Sequence, residues 1–309
     1  MGRNRYPLDN ELKKLEGLRL FPNIHVYPFV NIFMGMNGCR ADEKISVRKC
    51  SVPGYKGQEI PTLVIEPKHR KDKLPCIIFL HGGGIMLKAA KAHYQIAKWY
   101  AEKADCRVIF PDYRLMPKYR FPYATEDCYA VYDWVTGNAD ALSIDKNRII
   151  LAGDSAGGLL SAALTLMLRD RDNASPAGVL MSYPAFDRRM NTESMKKYTD
   201  TPVFDSVLAK IFWDSYLNGS IPEHIEYASP MEAETLEGFP ETYIEVAEFD
   251  CLHDEGVAFA ERLKNEGVKV ELHEVEGSCH GYEIALESSL VRRSVSRRIE
   301  WIKKITGNG

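Results

Sequence analysis

Short β-rich runs alternate with helix-length segments from about residue 45 onwards, and this alternation constrains the fold more than any other feature of the sequence. Apolar runs such as CIIFL at 76–80 and RIILAG at 148–153 lack polar alternation, which is typical of strands covered on both faces. Strands that alternate with helices imply βαβ units and a mostly parallel sheet. The sequence therefore predicts an α/β protein with about eight strands and with helices on both faces of the sheet.

The predicted elements follow from this alternation. Strands are expected at 45–52, 62–66, 76–81, 106–110, 148–153, 178–183, 242–248 and 268–275. Helices are expected at 89–104, 122–136, 156–171, 253–266 and 287–305. The turn-rich link VPGYKGQEIP between the first two strands predicts an antiparallel hairpin.

Two stretches interrupt the alternation. Residues 1–44 precede the first strand, and residues 186–236 separate two strands by far more than an ordinary connection, so this second stretch should contain helices. The periodicity of SVLAKIFWDSYL predicts an amphipathic helix at 206–217. We expect 1–44 and 186–236 to form a helical cap on a catalytic core made of 45–185 and 237–309. The alternative is a surface subdomain without a functional role.

Aromatic residues of these two stretches are candidates for the wall of a substrate pocket. The sequence does not show which of them face such a pocket. The candidates are Tyr27, Phe29, Phe33, Phe204 and Trp213.

Composition and charge exclude several classes of protein. The 309 residues are 45% hydrophobic and 27% charged, which excludes disordered, collagen-like and coiled-coil chains. Lys and Arg number 40 against 43 Asp and Glu, and the net charge of −3 lacks the basic excess of a nucleic-acid-binding protein. No nucleic-acid partner is therefore expected.

The sequence contains neither a secretory signal nor a membrane-spanning stretch. Its most apolar segment, residues 20–34, is interrupted by proline, asparagine and histidine and is shorter than the roughly 18 apolar residues of a spanning helix. The seven cysteines include no C-x-x-C pair and fit neither a disulfide framework nor a zinc site. Retained thiols indicate a reducing compartment. We expect a cytoplasmic protein without integral membrane association.

The strongest chemical signal is GDSAGG at 153–158, which follows the strand-like RIILA and precedes an apolar, helix-length run. G-x-S-x-G between a strand and a helix is typical of a nucleophile elbow, where the serine occupies a strained turn and small neighbours avoid a clash. The helix N-terminus would direct N–H groups and a positive dipole end at the reaction centre. Ser155 is therefore the candidate nucleophile, and a glycine-rich turn without catalytic role is the alternative.

A second signal is HGGG at 81–84, directly after a predicted strand. Successive glycines let the main chain approach a ligand closely and direct N–H groups at a developing oxyanion. We expect the N–H groups of Gly82, Gly83 and Ala156 to form this oxyanion hole. The base should lie late in the chain, so the histidine of this motif is expected to hold the loop rather than accept a proton. The residues expected in supporting positions are His81, Gly84 and Asp154.

A serine nucleophile requires a base and an acid, and the chain order for this architecture is serine, acid, histidine. Asp250 is the first acid after the strand TYIEVAE, and Asp254 is the alternative. His280 lies in the loop GSCHGYE after the last predicted strand and is the candidate base. His273 falls inside that strand, and His253 precedes the expected position and can start a helix. Asp250 would fix the tautomer of His280 and stabilise its imidazolium.

Several motifs together are similar to one known family. They are HGGG at 81–84, Tyr113-Arg114-Leu115 with Pro117, Phe121-Pro122 with Glu126-Asp127, GDSAGG at 153–158, Tyr183-Pro184 and CHG at 279–281. They resemble the hormone-sensitive-lipase-like family of α/β-hydrolase carboxylesterases, over about residues 60 to 300. The resemblance implies an α/β-hydrolase fold, a cap, and a triad of Ser155, Asp250 and His280. It also implies the oxyanion hole of Gly82, Gly83 and Ala156.

The sequence departs from the family pattern at two places. After the seventh strand, Cys251 stands where the family often has proline, and Asp250 still aligns with the triad aspartate. After HGGG, the family commonly has an aromatic residue and another glycine, whereas this chain has Ile85-Met86-Leu87-Lys88. This second departure concerns the alcohol or acyl pocket rather than the chemistry.

We expect a serine carboxylesterase that hydrolyses short- to medium-chain acyl esters through an acyl-enzyme intermediate, without a metal or organic cofactor. Its partner is a small-molecule ester, and a homodimer is left open. One alternative is an amidase or deacetylase of a specific metabolite with the same triad, and another is a non-catalytic ligand-binding receptor.

A structural or partner-binding protein is a third alternative, suggested by the apolar segment 20–34 and by a group of arginines near the C-terminus. We expect these arginines to lie on the solvent face of the last helix instead. They are Arg292, Arg293, Arg297 and Arg298.

Overall fold

The computed structural model of the protein describes residues 6–36, 38–68 and 72–308. Its strands are β1 (Ile45–Pro53), β2 (Glu59–Pro67), β3 (Leu74–Leu80), β4 (Arg107–Pro111), β5 (Ile144–Asp154), β6 (Gly178–Ser182), β7 (Thr242–Phe249) and β8 (Val270–Cys279). Its α-helices are α1 (Tyr27–Gly35), α2 (Lys91–Lys103), α3 (Tyr123–Gly137), α4 (Ala156–Asp170), α5 (Glu193–Lys197), α6 (Ser206–Leu217), α7 (His253–Asn265) and α8 (Ser289–Thr306).

The strands form one sheet in the order β1-β2-β4-β3-β5-β6-β7-β8. β2 pairs antiparallel with both β1 and β4, and the pairs from β4 through β8 are parallel. Every residue of β3 is buried, as its uninterrupted apolar sequence predicts. The predicted eight-stranded, mostly parallel sheet with an initial antiparallel hairpin is confirmed.

Helices cover both faces of the sheet, and the order of the strands determines which face each takes. The connection from β3 to β4 runs in one direction across the sheet, whereas those from β4 to β5, β5 to β6 and β7 to β8 run in the other. Because such crossovers are right-handed, α2 lies on one face and α3, α4 and α7 lie on the other. α8 packs against α2, and α3 packs against α4.

The parallel strands place the candidate catalytic residues at one edge of the sheet. Ser155 follows β5, Asp250 follows β7, and His280 follows β8. Because the carboxyl ends of parallel strands meet at the same edge, these three residues converge although 125 positions separate the serine from the histidine.

The two stretches expected to form a cap contact each other directly. The backbone N–H of Val203 donates to the carbonyl of Leu18 over 2.7 Å, and Arg19 forms an ion pair with Asp205. The hydroxyl of Tyr6 donates to Asp200 over 2.6 Å. The predicted helix at 206–217 is α6, and α5 precedes it. Residues 1–5 and 37 of the first stretch lie outside the described residues.

No helix in the described part of the chain combines the length and the apolar character that a membrane span requires.

The solvent position expected for the C-terminal arginines is wrong for Arg298. Arg292 and Arg293 are exposed and Arg297 is partly exposed, but Arg298 is only 1% exposed. Its guanidinium forms ion pairs with Glu245 on β7 and with Glu283 after β8. A buried guanidinium is stable only when such charged partners replace water, and here two carboxylates do so.

Hydroxyl groups complete this buried network. The hydroxyl of Ser294 donates to Glu245 over 2.6 Å, and the guanidinium of Arg298 donates to the hydroxyl of Tyr282 over 2.9 Å. Burial disfavours the charged form of Glu245, but the charge of Arg298 and these hydrogen bonds outweigh it and lower the pKa of Glu245 to about 2. Burial raises the pKa of Glu283 above its ordinary value.

Replacing Arg298 should destabilise the fold far more than replacing its neighbour on the same helix. Arg298→Met leaves two buried carboxylates without their cation, and we expect a loss of roughly 3–5 kcal/mol in the free energy of unfolding. The matched variant Arg297→Met should stay within about 0.5 kcal/mol of wild type. Urea unfolding at pH 7 measures both, and equal losses in the two variants would contradict this account.

The depressed pKa of Glu245 also predicts a loss of stability in acid. Because the folded pKa of about 2 lies below the ordinary value of 4.5, this carboxylate stabilises the fold above pH 4.5 and ceases to do so as the pH falls towards 2. The difference in unfolding free energy between wild type and Glu245→Gln should therefore shrink by roughly 2 kcal/mol from pH 6 to pH 3. Urea titrations at both pH values test this, and a constant difference would refute it.

Candidate active site

Ser155 occupies a strained turn between β5 and α4. Its φ of 53° and ψ of −121° lie outside the regions that L-residues ordinarily adopt. Its N–H donates to the carbonyl of Ser182 on β6 over 2.8 Å, which helps to hold the turn. Gly157 packs so closely on the carbonyl of Leu80 that any side chain there would collide with the main chain of β3. The local sequence therefore positions the serine hydroxyl at the N-terminus of α4.

His280 contacts Ser155 and Asp250 with its two ring nitrogens. Its Nε2 lies 2.8 Å from Oγ of Ser155, and its Nδ1 lies 2.7 Å from Oδ2 of Asp250. Because an ionised carboxylate only accepts hydrogen bonds, Nδ1 carries the proton and Nε2 is free to accept the serine hydroxyl. The three groups are buried, so water does not interrupt the chain of hydrogen bonds.

Asp250, and not the alternative Asp254, contacts the histidine. Asp250 is fully buried, and its second oxygen accepts the N–H of Leu252 over 3.0 Å. Asp254 instead accepts the N–H of Ser194 over 2.7 Å and contacts His253. His253 begins α7, as its position in the sequence suggested.

The remaining histidine of this region, His273, lies within β8. Its ring stacks on Tyr243 with the ring centroids 4.9 Å apart. His273 thus lies within a strand, as its position in the sequence indicated.

Two aromatic rings hold the imidazole of His280 in place. The ring of Tyr183 meets it edge-on with centroids 5.0 Å apart, and the ring of Phe204 lies at 4.8 Å. The hydroxyl of Tyr183 donates to Glu283 over 2.6 Å. Glu283 also pairs with Arg298. Tyr183 therefore links the buried ion network to the ring of the candidate base.

The part expected of Gly82 in the oxyanion hole is contradicted by the structure. Its N–H donates to Oδ1 of Asp154 over 3.0 Å and is therefore not available to a substrate. The N–H groups of Gly83 and Gly84 have no acceptor within the described chain, and both residues line the cavity beside Ser155. Ala156 begins α4, so its N–H has no partner inside the helix. The available donors are thus Gly83, Gly84 and Ala156.

His81 contacts the glycine loop that it is expected to support. Its Nδ1 lies 2.7 Å from the carbonyl of Gly82, and its ring stacks on Tyr113 with centroids 4.6 Å apart. The hydroxyl of Tyr113 donates to the carbonyl of His81 over 2.5 Å. Burial lowers the pKa of His81 to about 4, so this imidazole stays neutral at pH 7.

His93 is a functional candidate that the sequence reasoning missed. Its Nδ1 accepts the N–H of Ala90 over 2.8 Å, so its Nε2 carries the proton that faces Oδ2 of Asp154 at 3.1 Å. Burial disfavours the charged form of Asp154, but His93 outweighs it and lowers the pKa of this carboxyl. The same carboxylate receives the N–H of Gly82, so His93 fixes the glycine loop through Asp154.

A cavity of about 120 Å³ opens in front of Ser155 and His280. Residues of both stretches expected to form the cap, 1–44 and 186–236, contribute to its wall. Most of that wall is apolar. Of the aromatic candidates, Phe204 lines the cavity, whereas Phe29 and Phe33 are about 70% exposed on the outer face of α1. The cavity-lining side chains from the inserted stretches are Leu20, Met34, Val203 and Phe204.

Sequence comparison finds relatives over most of the chain. A sequence profile of the α/β-hydrolase fold matches residues 77–284. "Carboxylesterase NlhH" of Mycobacterium tuberculosis is 35% identical over 234 residues, which cover 74% of this chain and 73% of the relative. "Ethyl acetate hydrolase" of Pseudomonas putida is 29% identical over 246 residues, which cover 79% of this chain and 77% of the relative.

Solved structures of esterases superpose on nearly the whole of this chain. "Bacterial Heroin Esterase" superposes with a TM-score of 0.89 at 30% identity, covering 97% of this chain and 98% of the other. Esterase LipW from Mycobacterium marinum superposes with a TM-score of 0.88 at 28% identity, covering 97% of this chain and 96% of the other.

Removing the hydrogen bond from His93 should slow catalysis while substrate binding changes little. His93→Leu releases Asp154 and with it the glycine loop, and a misplacement of about 1 Å can cost roughly 100-fold in rate. We expect kcat to fall by roughly 10- to 100-fold with KM within about twofold. His93→Gln can still donate to Asp154 and should recover part of this loss. A folded His93→Leu variant with wild-type kcat would show that the contact is dispensable.

Proposed function

The chain belongs to the α/β-hydrolase family and is a carboxylic ester hydrolase, and from this premise we propose that Ser155, His280 and Asp250 hydrolyse esters through an acyl-enzyme intermediate. The observation that carries the proposal is the buried hydrogen-bond chain from Asp250 to His280 to Ser155, with heavy-atom distances of 2.7 and 2.8 Å. This is the arrangement that activates a serine hydroxyl for nucleophilic attack.

In the first half-reaction, Nε2 of His280 takes the proton of Ser155 as Oγ attacks the ester carbonyl. Asp250 stabilises the imidazolium that forms. The oxyanion accepts hydrogen bonds from the N–H groups of Gly83, Gly84 and Ala156. Each hydrogen bond stabilises the transition state by roughly 3 kcal/mol. His280 then returns its proton to the alcohol oxygen, the carbon–oxygen ester bond breaks, and the acyl group stays on Oγ.

In the second half-reaction, water replaces the alcohol. His280 takes a proton from the water while the water oxygen attacks the acyl carbonyl. The same N–H donors stabilise the second oxyanion. Collapse of this intermediate returns the proton to Ser155 and releases the acid. The free enzyme is regenerated, and the cycle consumes one ester and one water for one acid and one alcohol.

The shape of the catalytic cavity supports a preference for short acyl chains. Its volume of about 120 Å³ and its apolar wall suit a small acyl group better than a long one. We propose that residues 1–44 and 186–236 act as the cap that encloses this group, because described side chains of both stretches line the cavity and are hydrogen-bonded across the two stretches.

The cysteines support a cytoplasmic location, which we include in the proposal. All seven are free thiols, and five of them are buried. Unpaired thiols are typical of proteins that work in a reducing compartment.

Hydrolysis of p-nitrophenyl esters from acetate to laurate tests the function directly. Wild type should turn over the short esters fastest, and Ser155→Ala should lose roughly 10⁴- to 10⁶-fold in kcat, because nothing else in the cavity replaces the activated hydroxyl. Near wild-type rates in Ser155→Ala would refute the proposal. Turnover of anilides but not of esters would indicate an amidase that uses the same three residues.

The two acids that follow β7 provide a matched control for this experiment. Asp250→Asn should lower kcat by roughly 10⁴-fold, because the amide no longer holds His280 in the required tautomer. Asp254→Asn changes the same functional group four residues later, where its contacts are with His253 and Ser194. It should retain kcat within about tenfold, and an equal loss in the two variants would contradict the assignment of Asp250.

A further inference from the structure

A second cavity of about 430 Å³ lies beside the catalytic cavity. The end of α1, the segment after it, and strands β1, β2 and β4 contribute to its wall. Among the described residues, Lys88 lines both cavities. The two cavities therefore share Lys88 as a common lining residue.

Lys88 combines a fixed backbone with a loosely held side chain. Its N–H donates to Oδ1 of Asn31 over 2.8 Å, and Nδ2 of Asn31 donates to the carbonyl of Met86 over 2.8 Å. Its ammonium group pairs with Asp112 over 3.1 Å, and each of these two side chains is 39% exposed. An ion pair this exposed contributes little free energy, so the ammonium group can exchange Asp112 for another anion at small cost.

The charged lining of the second cavity is mostly positive. Arg40, Lys49 and Lys88 face a single carboxylate, Asp112. Arg40 and Lys49 are exposed and have neither an ion pair nor a side-chain hydrogen bond within the described chain. The cavity therefore has an excess of two positive charges, which favours an anionic ligand.

Lys88 also lies in the stretch where the sequence departs from its family. The family commonly has an aromatic residue and another glycine after HGGG, whereas Ile85-Met86-Leu87-Lys88 stands here. The long cation that lines both cavities thus belongs to the segment that departs from the common pattern.

We propose that the second cavity binds a carboxylate carried by the substrate, so that the preferred substrates are esters with a free carboxylate remote from the scissile bond. The inference rests on the proposed ester hydrolysis at Ser155. The ester group enters the catalytic cavity, the remote carboxylate extends past Lys88, and Arg40 and Lys49 stabilise it. For the half-ester anion of a dicarboxylic acid, hydrolysis consumes one water and yields the dicarboxylate, the alcohol and one proton.

Matched pairs of substrates test this preference. One series comprises monoethyl esters of dicarboxylic acids with four to eight carbons, each compared with the ethyl ester of the monocarboxylic acid of equal length. A second series comprises acetoxy acids compared with the matching alkyl acetates, and it places the carboxylate on the alcohol side. The measured quantity is the ratio of kcat/KM for the acidic ester to that for the neutral ester.

The ratio should have its maximum at one chain length in one of the two series. At that length, Arg40→Gln/Lys49→Gln should lower the ratio about tenfold, and raising the salt from 50 to 500 mM should lower it in wild type. Lys146→Gln, which removes an exposed cation near the amino end of β5, should leave the ratio within about twofold of wild type. A ratio that the double substitution leaves unchanged in both series overturns the proposal.

A binding experiment separates failure of this inference from failure of the proposed function. Hydrolysis of p-nitrophenyl acetate by wild type but not by Ser155→Ala tests the function alone. Calorimetric titration of Ser155→Ala with adipate tests the cavity without turnover, and the affinity should fall about tenfold when Arg40→Gln and Lys49→Gln are added. Equal adipate affinity in the two proteins, or no binding to either, would overturn the inference while leaving ester hydrolysis intact.

Discussion

The strained backbone of Ser155 is the constraint on which the rest of the site depends. A non-glycine residue at φ 53° and ψ −121° costs roughly 1–3 kcal/mol, and the turn persists only because its surroundings allow no alternative. Gly157 permits α4 to lie directly against the main chain of β3, and the N–H of Ser155 is bound by β6. The central strands thus maintain the strain, and the helix that begins at Ala156 directs its first N–H group to the same place as the serine hydroxyl.

A buried cluster of charged side chains supports the loop that carries His280. Arg298 on the last helix pairs with Glu245 on β7 and with Glu283, three residues after the histidine. Glu283 also accepts a hydrogen bond from the hydroxyl of Tyr183, whose ring packs edge-on against the imidazole. An ion cluster of this kind need not make the fold more stable than an apolar core would. Its geometric effect is to fix the loop after β8 and the aromatic neighbour of the base at the same time.

The sequence predicted those parts of the molecule whose physical cause is local. The uninterrupted apolar runs placed the strands, and the glycines around Ser155 identified the turn. The oxyanion donors could not be predicted from local sequence alone. The N–H of Gly82 is excluded because it donates to the carboxylate of Asp154, 72 residues away. The charge of Arg298 favours a solvent position, although the spacing from Val295 and Ile302 places it on the apolar side of its helix. That periodicity was the available signal, and the partner on β7 could not be inferred from it.

One short segment contains both the glycine loop and Lys88, which lines both cavities. Gly83 and Gly84 present the free N–H groups, and Lys88, four residues after Gly84, lines both cavities. The segment is held from one side by Asp154 and His93 and from the other by Asn31 of α1. A substrate group that displaces Lys88 from Asp112 therefore acts on a side chain whose backbone is already fixed. Such a group can be selected by charge without moving the oxyanion donors, so that binding in the second cavity and stabilisation of the transition state remain independent.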